Sequence, residues 1–187
     1  MKRALIVCAC AVTLATACST APKTEDVEVT EDSAVSMLDV HEMTFTDPTG
    51  SAFMKIAADG AITVLDEKFA LGPGHHTTIT PDGAVTRDDG ELLLQLQADG
   101  TLTKADGSTY DVTITEDGTS RKEGRAEALV FDEDGNMGAK NEVGVVTHTN
   151  GEDGPRARRA LALAFIGTMF HAELAMKQMA EDVEPME

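Results

Sequence analysis

Five Asp-Gly pairs recur at nearly regular intervals, each set between apolar residues, and they constrain the fold more than any other feature. Aligned on the pair, the first three copies read Ile56-Ala57-Ala58-Asp59-Gly60-Ala61-Ile62-Thr63, Ile79-Thr80-Pro81-Asp82-Gly83-Ala84-Val85-Thr86 and Leu96-Gln97-Ala98-Asp99-Gly100-Thr101-Leu102-Thr103. Two looser copies follow around Asp117-Gly118 and Asp134-Gly135, and the aspartates are separated by 23, 17, 18 and 17 residues. An insertion around Lys68 to Gly74 accounts for the longer first interval. A second turn signal falls seven residues after the main one, at Asp89-Gly90 and Asp106-Gly107, with Asp66 and Glu123-Gly124 in related places. Asp-Gly between alternating apolar residues is a hairpin signal, and the type I′ turn, with left-handed φ at both central residues, is the form it predicts. Two turns per repeat make one short and one longer strand per repeat.

Period-two patterning supports this. Leu92, Leu94 and Leu96 alternate with Leu93, Gln95 and Gln97, and Tyr110, Val112 and Ile114 alternate with Asp111, Thr113 and Thr115. Such alternation gives one buried and one solvated face. Asp47-Pro48-Thr49-Gly50 is a type I turn signal joining strands over Met43 to Thr46 and Ser51 to Ala57. The expected fold is mainly β: an antiparallel meander of about nine to eleven strands, built from repeats of ~17–18 residues. Ala126 to Phe131 and Val143 to His148 would be its last strands.

Gly154-Pro155 then opens a segment whose apolar residues recur at helical spacing: Leu161, Phe165, Met169, Ala172, Met176 and Met179. Asp153 or Gly154 can cap it and Pro155 suits its first turn. One C-terminal helix over about 154–181, packed on the sheet or closing its mouth, completes a two-layer domain. Its arginines (Arg156, Arg158, Arg159) stand at the N-terminus and its acids at the C-terminus, against the helix dipole. Pairing with loop acids such as Glu152 or Asp153 would offset this. The apolar run from Ala160 to Phe170 reads as too short to span a bilayer and as a core helix instead.

At the other end of the chain, Met1-Lys2-Arg3 is a positive start and Ala4 to Ala17 is apolar apart from Thr13 and Thr16. A charged start, a short apolar run and small residues at the cut mark a secretory signal. The cut reads Leu14-Ala15-Thr16-Ala17-Cys18 and resembles the lipobox of bacterial lipoprotein precursors. Family members usually carry Leu three residues before the cysteine, where this chain has Ala15. The resemblance implies acylation of Cys18 as the new N-terminus, and Ser19 after it implies the outer membrane of a two-membrane envelope. All three cysteines (Cys8, Cys10, Cys18) lie within residues 1–18, so the body is expected to fold without a disulfide.

The expected organisation is a signal peptide over 1–17, a lipidated N-terminus and flexible acidic linker over 18–36, a single domain over 37–181, and a disordered tail over 182–187. Cleavage would take two positive charges and no acid from a chain whose formal net charge is −18. That field repels nucleic acid and anionic headgroups, so nucleic acid is not an expected partner.

Chemistry-bearing motifs are sparse. His75-His76 has no metal-ligand spacing near it, and neighbours in a strand point to opposite faces. His41, His148 and His171 are isolated. Asp132-Glu133-Asp134-Gly135-Asn136 resembles the start of a calcium loop, but Met137 and Val143 stand where Gly and Glu would be needed. No nucleophile elbow, zinc-protease motif or phosphate-binding loop is present, and no cofactor or metal is expected. One Tyr and no Trp leave little for a sugar-binding platform or an aromatic girdle. The aspartates and glycines of the repeat read as structural turn positions. The expected function is a non-enzymatic, lipid-anchored envelope lipoprotein serving as a structural or protein-interaction module, held to the membrane by its lipid and presenting a sheet face or edge to an envelope protein. The alternative is a cup for a small apolar molecule beneath the helix, lined by residues such as Leu94, Val112 and Phe165.

Overall fold

A computed structural model describes residues 36–69, 71–125, 128–132, 136–139, 148–149 and 154–181. From Ser36 onward these belong to one compact unit. Its strands are β1 (Met43–Thr46), β2 (Ala52–Ile56), β3 (Ala61–Val64), β4 (Gly74–Ile79), β5 (Ala84–Arg87), β6 (Leu92–Leu96), β7 (Thr101–Lys104), β8 (Thr109–Ile114), β9 (Ser120–Lys122), β10 (Ala128–Phe131), β11 (Met137–Ala139) and β12 (His148–Thr149), followed by the helix α1 (Pro155–Glu181). The first eleven strands pair antiparallel with their sequence neighbours, which is the expected meander with its single C-terminal helix. The two-residue β12 departs from sequential order and pairs with β1 at the opposite edge from β11. Of the last expected strands, the first begins at Ala128. Residues 143–147 lie outside the described residues.

The repeat turns differ from the expected type I′ form. In each of the first four copies the glycine N–H bonds the carbonyl three residues back, as in Gly60 to Ala57 (2.9 Å) and Gly100 to Gln97 (3.0 Å). The closing bond runs one residue further out, as in Ala57 N–H to the Ala61 carbonyl (2.9 Å). The loop therefore has three residues: a type I turn followed by a glycine bulge, which needs left-handed φ at the glycine alone. Gly60, Gly83, Gly100 and Gly118 have φ of 85°, 87°, 89° and 83°. The aspartate side chain explains the choice, because its Oδ1 accepts the N–H two residues on: Ala61 after Asp59 (3.1 Å), Thr101 after Asp99 (3.0 Å) and Thr119 after Asp117 (3.0 Å). In the second copy the Thr80 hydroxyl takes that part, accepting Ala84 N–H at 3.1 Å. Asp134 and Gly135 lie outside the described residues, but the flanking Asp132 N–H to Asn136 carbonyl bond (3.0 Å) has the same frame.

The long strands carry a second repeated feature that alternation alone hides. Register shifts by one residue between β1 and β2, β3 and β4, and β5 and β6, leaving Phe53, His76 and Leu93 as the extra residues. Between β7 and β8 the shift takes in Asp111 and Val112. Phe53, His76, Leu93 and Asp111 all stand six residues before the repeat aspartate. A bulge bends its strand and increases the local twist. It also corrects the expected alternation in β6, where Leu93 is buried and Leu92 only half-buried.

Repeated bending curls the sheet around α1. Phe45 of β1 and Phe131 of β10 meet edge to face at 6.2 Å, although eight other strands separate them in the chain-ordered sheet. The five consecutive residues Ala160 to Ala164 are each at most 1% exposed, and at 100° per residue five positions cover the whole helix circumference. The helix is therefore enclosed, not laid on one face. Rows from the strands complete the core: Met54, Thr77, Leu94 and Val112 in one layer, and Ile56, Ile79, Leu96 and Ile114 in the next. Each large apolar side chain in these rows contributes about 1.5–3 kcal/mol of burial. The 27-residue helix is long and apolar enough to cross a membrane, contrary to the sequence reading of its apolar run, yet 56% of its apolar window is buried within the protein.

Candidate functional site

Because the chain turns at two sets of loops, the curled sheet has two ends, and the helix marks them. Its N-terminus lies at the repeat Asp-Gly turns. Gly154 accepts the first intrahelical bond, from Arg158 N–H at 3.1 Å. The expected pairing of the arginines with Glu152 or Asp153 falls on residues outside those described. Among the described residues, Arg158 Nε donates to the Asp117 carbonyl at 3.1 Å, and Arg159 Nη2 donates to the carbonyls of Gln97 (3.4 Å) and Ile114 (3.5 Å). Arg159 is 6% exposed, and its Nε has no hydrogen-bond partner among the described residues. The two side chains clamp the third and fourth repeat turns to the helix. Gly118 is required there: a Cβ would stand 2.6 Å from the Arg158 backbone.

Between these turns opens a cleft of about 620 Å³, lined by Asp99, Thr115, Glu116, Asp117 and Arg159. Three carboxylates face one guanidinium, so neither an anion nor a cation finds a consistent field. Asp99 and Asp117 are held below the usual carboxylate range. For Asp99 the main cause is the Thr101 amide, and for Asp117 it is the Thr115 hydroxyl. These bonds serve the turns themselves. The chain enters the domain at this end as well: Leu38 N–H bonds the Pro81 carbonyl (3.1 Å) and Asp39 N–H the Arg156 carbonyl (3.3 Å).

At the opposite end the helix passes the second set of turns. Phe170 meets Tyr110 at 4.9 Å, and His171 meets His76 at 6.3 Å. Burial, and then the nearby Arg87 and His76, push the His171 pKa down. Burial, then Glu173, pushes the Tyr110 hydroxyl up. The paired histidines of the sequence separate as strand geometry requires. His75 is exposed, its Nε2 within 3.0 Å of the Thr77 carbonyl, while His76 occupies the bulge with Nε2 at 3.0 Å from the Gly72 carbonyl. No group of three metal-ligating side chains is assembled among the described residues. Asp132 spends both oxygens on Asn136, at 2.8 Å to its amide and 3.0 Å to its side chain.

Ala172 is the last buried residue of the helix and Leu174 still packs against the core. Met176 to Glu181 are exposed, and Met169, Met176 and Met179 are 45%, 50% and 55% exposed. The interior that a ligand-holding cup would need is taken by the helix, with Leu94 and Val112 buried in one cluster with Leu161 and Leu163 and Phe165 packed against it. Sequence periodicity identified the methionines as helical but assigned them to the core. Their exposure depends on where the sheet ends, which periodicity does not report. Cys18 lies outside the described residues. No protein-family model matches the chain, and neither the curated proteins nor the solved structures yield a match.

Proposed function

We propose that this chain is a non-enzymatic lipoprotein of the cell envelope, anchored through acyl groups on Cys18 and acting as a structural or protein-interaction module. One observation carries the reading: an apolar leader ends at Leu14-Ala15-Thr16-Ala17-Cys18, and no cysteine follows it. Ser19 in the next position favours the outer membrane. The body suits such a role because its stability comes from a helix enclosed in a disulfide-free sheet. The outer face carries Lys55, Thr63, Thr78, Thr86, Gln95 and Thr103, which suits contact with water or a protein surface.

Fatty-acid labelling in a bacterial host, with the full chain beside Cys18→Ala, tests the anchor. Label incorporated by the full chain and lost from the variant supports it. Equal labelling of both, or of neither, overturns it.

A further inference from the structure

We propose that the segment of α1 from Met169 to Glu181 is a docking ridge for a second protein whose binding surface is apolar and bordered by lysine or arginine. The inference rests on the anchored-lipoprotein reading above and names the place where such a module meets its partner. At 1.5 Å per residue the six exposed residues from Met176 to Glu181 extend about 9 Å. With 100° between successive residues, Met169, Met176 and Met179 fall within an arc of about 80° on one side of the helix. Glu173, Lys177 and Glu181 lie on the adjoining side. An exposed stripe of methionines on a projecting helix suits insertion into an apolar groove, because the unbranched thioether adapts to the shape it meets.

Charge selects the occupant. Glu173 is paired with Lys177 at 3.3 Å, and among the described residues Glu181 has no ion-pair partner. The last helical turn contains no basic residue to offset its carbonyl dipoles. The ridge therefore ends in negative potential on a chain of formal net charge −18, which favours a basic border on the partner. A second copy would set two such ends and two acidic bodies against each other. Anionic lipid is disfavoured by the same field.

The test places a photocrosslinking amino acid at position 176 of the full chain in intact cells, with the same substitution at Thr49 as an exposed control. Expected is a crosslink from position 176, and not from position 49, to one distinct protein. The joined peptide, identified by mass spectrometry, should carry apolar residues flanked by Lys or Arg. A synthetic copy of that peptide should bind the purified full chain in detergent, with affinity reduced about tenfold by Met179→Asp, as expected for an apolar anchor in an interface. That variant should keep the thermal melting profile of the parent, since position 179 is exposed. A crosslink to a second copy, to phospholipid, or equally from both positions overturns the proposal. So does a peptide without basic residues, or unchanged affinity in Met179→Asp. The Cys18→Ala labelling result is read separately: loss of the anchor reading with a position-specific protein crosslink leaves the ridge standing, and the reverse outcome removes the ridge alone.

Discussion

Thr77 occupies the row filled elsewhere by Met54, Leu94 and Val112, is fully buried, and its hydroxyl has no hydrogen-bond partner among the described residues. Burial of an unpaired hydroxyl costs about 1–3 kcal/mol, so Thr77→Val, nearly equal in shape, should stabilise the fold by about 1 kcal/mol. A rise in the urea midpoint with unchanged slope would show it. Glycines of the two turn sets should respond differently. Gly118→Ala meets the Arg158 backbone as well as a φ of 83°, whereas Gly107→Ala, at φ 80°, meets open space. The second should cost about 1 kcal/mol of backbone strain and the first clearly more, measurable as separate losses in thermal melting. The turn aspartates set an acid response. Hydrogen bonds from Thr49, Thr101, Ser108 and Thr115, respectively, lead in holding Asp47, Asp99, Asp106 and Asp117 below the ordinary 3.8. A carboxylate depressed in the folded state adds stability above its unfolded pKa and loses it as pH falls through the folded value. The double variant Asp99→Asn, Asp106→Asn should therefore show a shallower fall in urea midpoint between about pH 5 and about pH 2 than the parent.

Among the elements, the strands and helix were legible because each has its own short-range signature. Turns at Asp-Gly and alternation in β8 follow from residues close in sequence, and Pro155 opens α1 where the helical spacing begins. The bulges were not legible in the same way. Leu92-Leu93-Leu94 contains two readings of a period of two, and only the pairing partner in β5 selects between them. The recurrence of Phe53, His76, Leu93 and Asp111 six residues before the aspartate was visible as spacing, but their residue types share no chemistry. The helix also depends on a partner element at Gly167. A Cβ there would lie 2.7 Å from Val85 Cγ1. Gly167→Ala gains about 1 kcal/mol of helix propensity and should still destabilise, by about 1–2 kcal/mol net, through overpacking. Combining it with Val85→Ala should cost less than the two separate losses added together, and a double-mutant cycle in urea measures that coupling.

For the whole molecule, the enclosed helix is the structural centre. A chain ending after Ala175 keeps the buried span from Ala157 to Ala172 and should retain the parent's cooperative melt by circular dichroism. One ending before Phe165 should lose it, because the rows of β2, β4, β6 and β8 would then face an unfilled interior. By itself the sequence determined the hairpin repeat, the alternation of strands such as β8, the span of the helix and the absence of cysteine from the body. Each depends on residues within a few positions of one another or on composition. Tertiary structure alone decided that the sheet curls, that the helix runs through it, that the arginines close on the carbonyls of Asp117, Gln97 and Ile114, and that the last methionines emerge into solvent. Those outcomes depend on how bulges add up across successive strand pairs and on contacts such as Gln97 with Arg159, 62 residues apart. No local pattern contains them, because curvature and enclosure are properties of the sum of the strands.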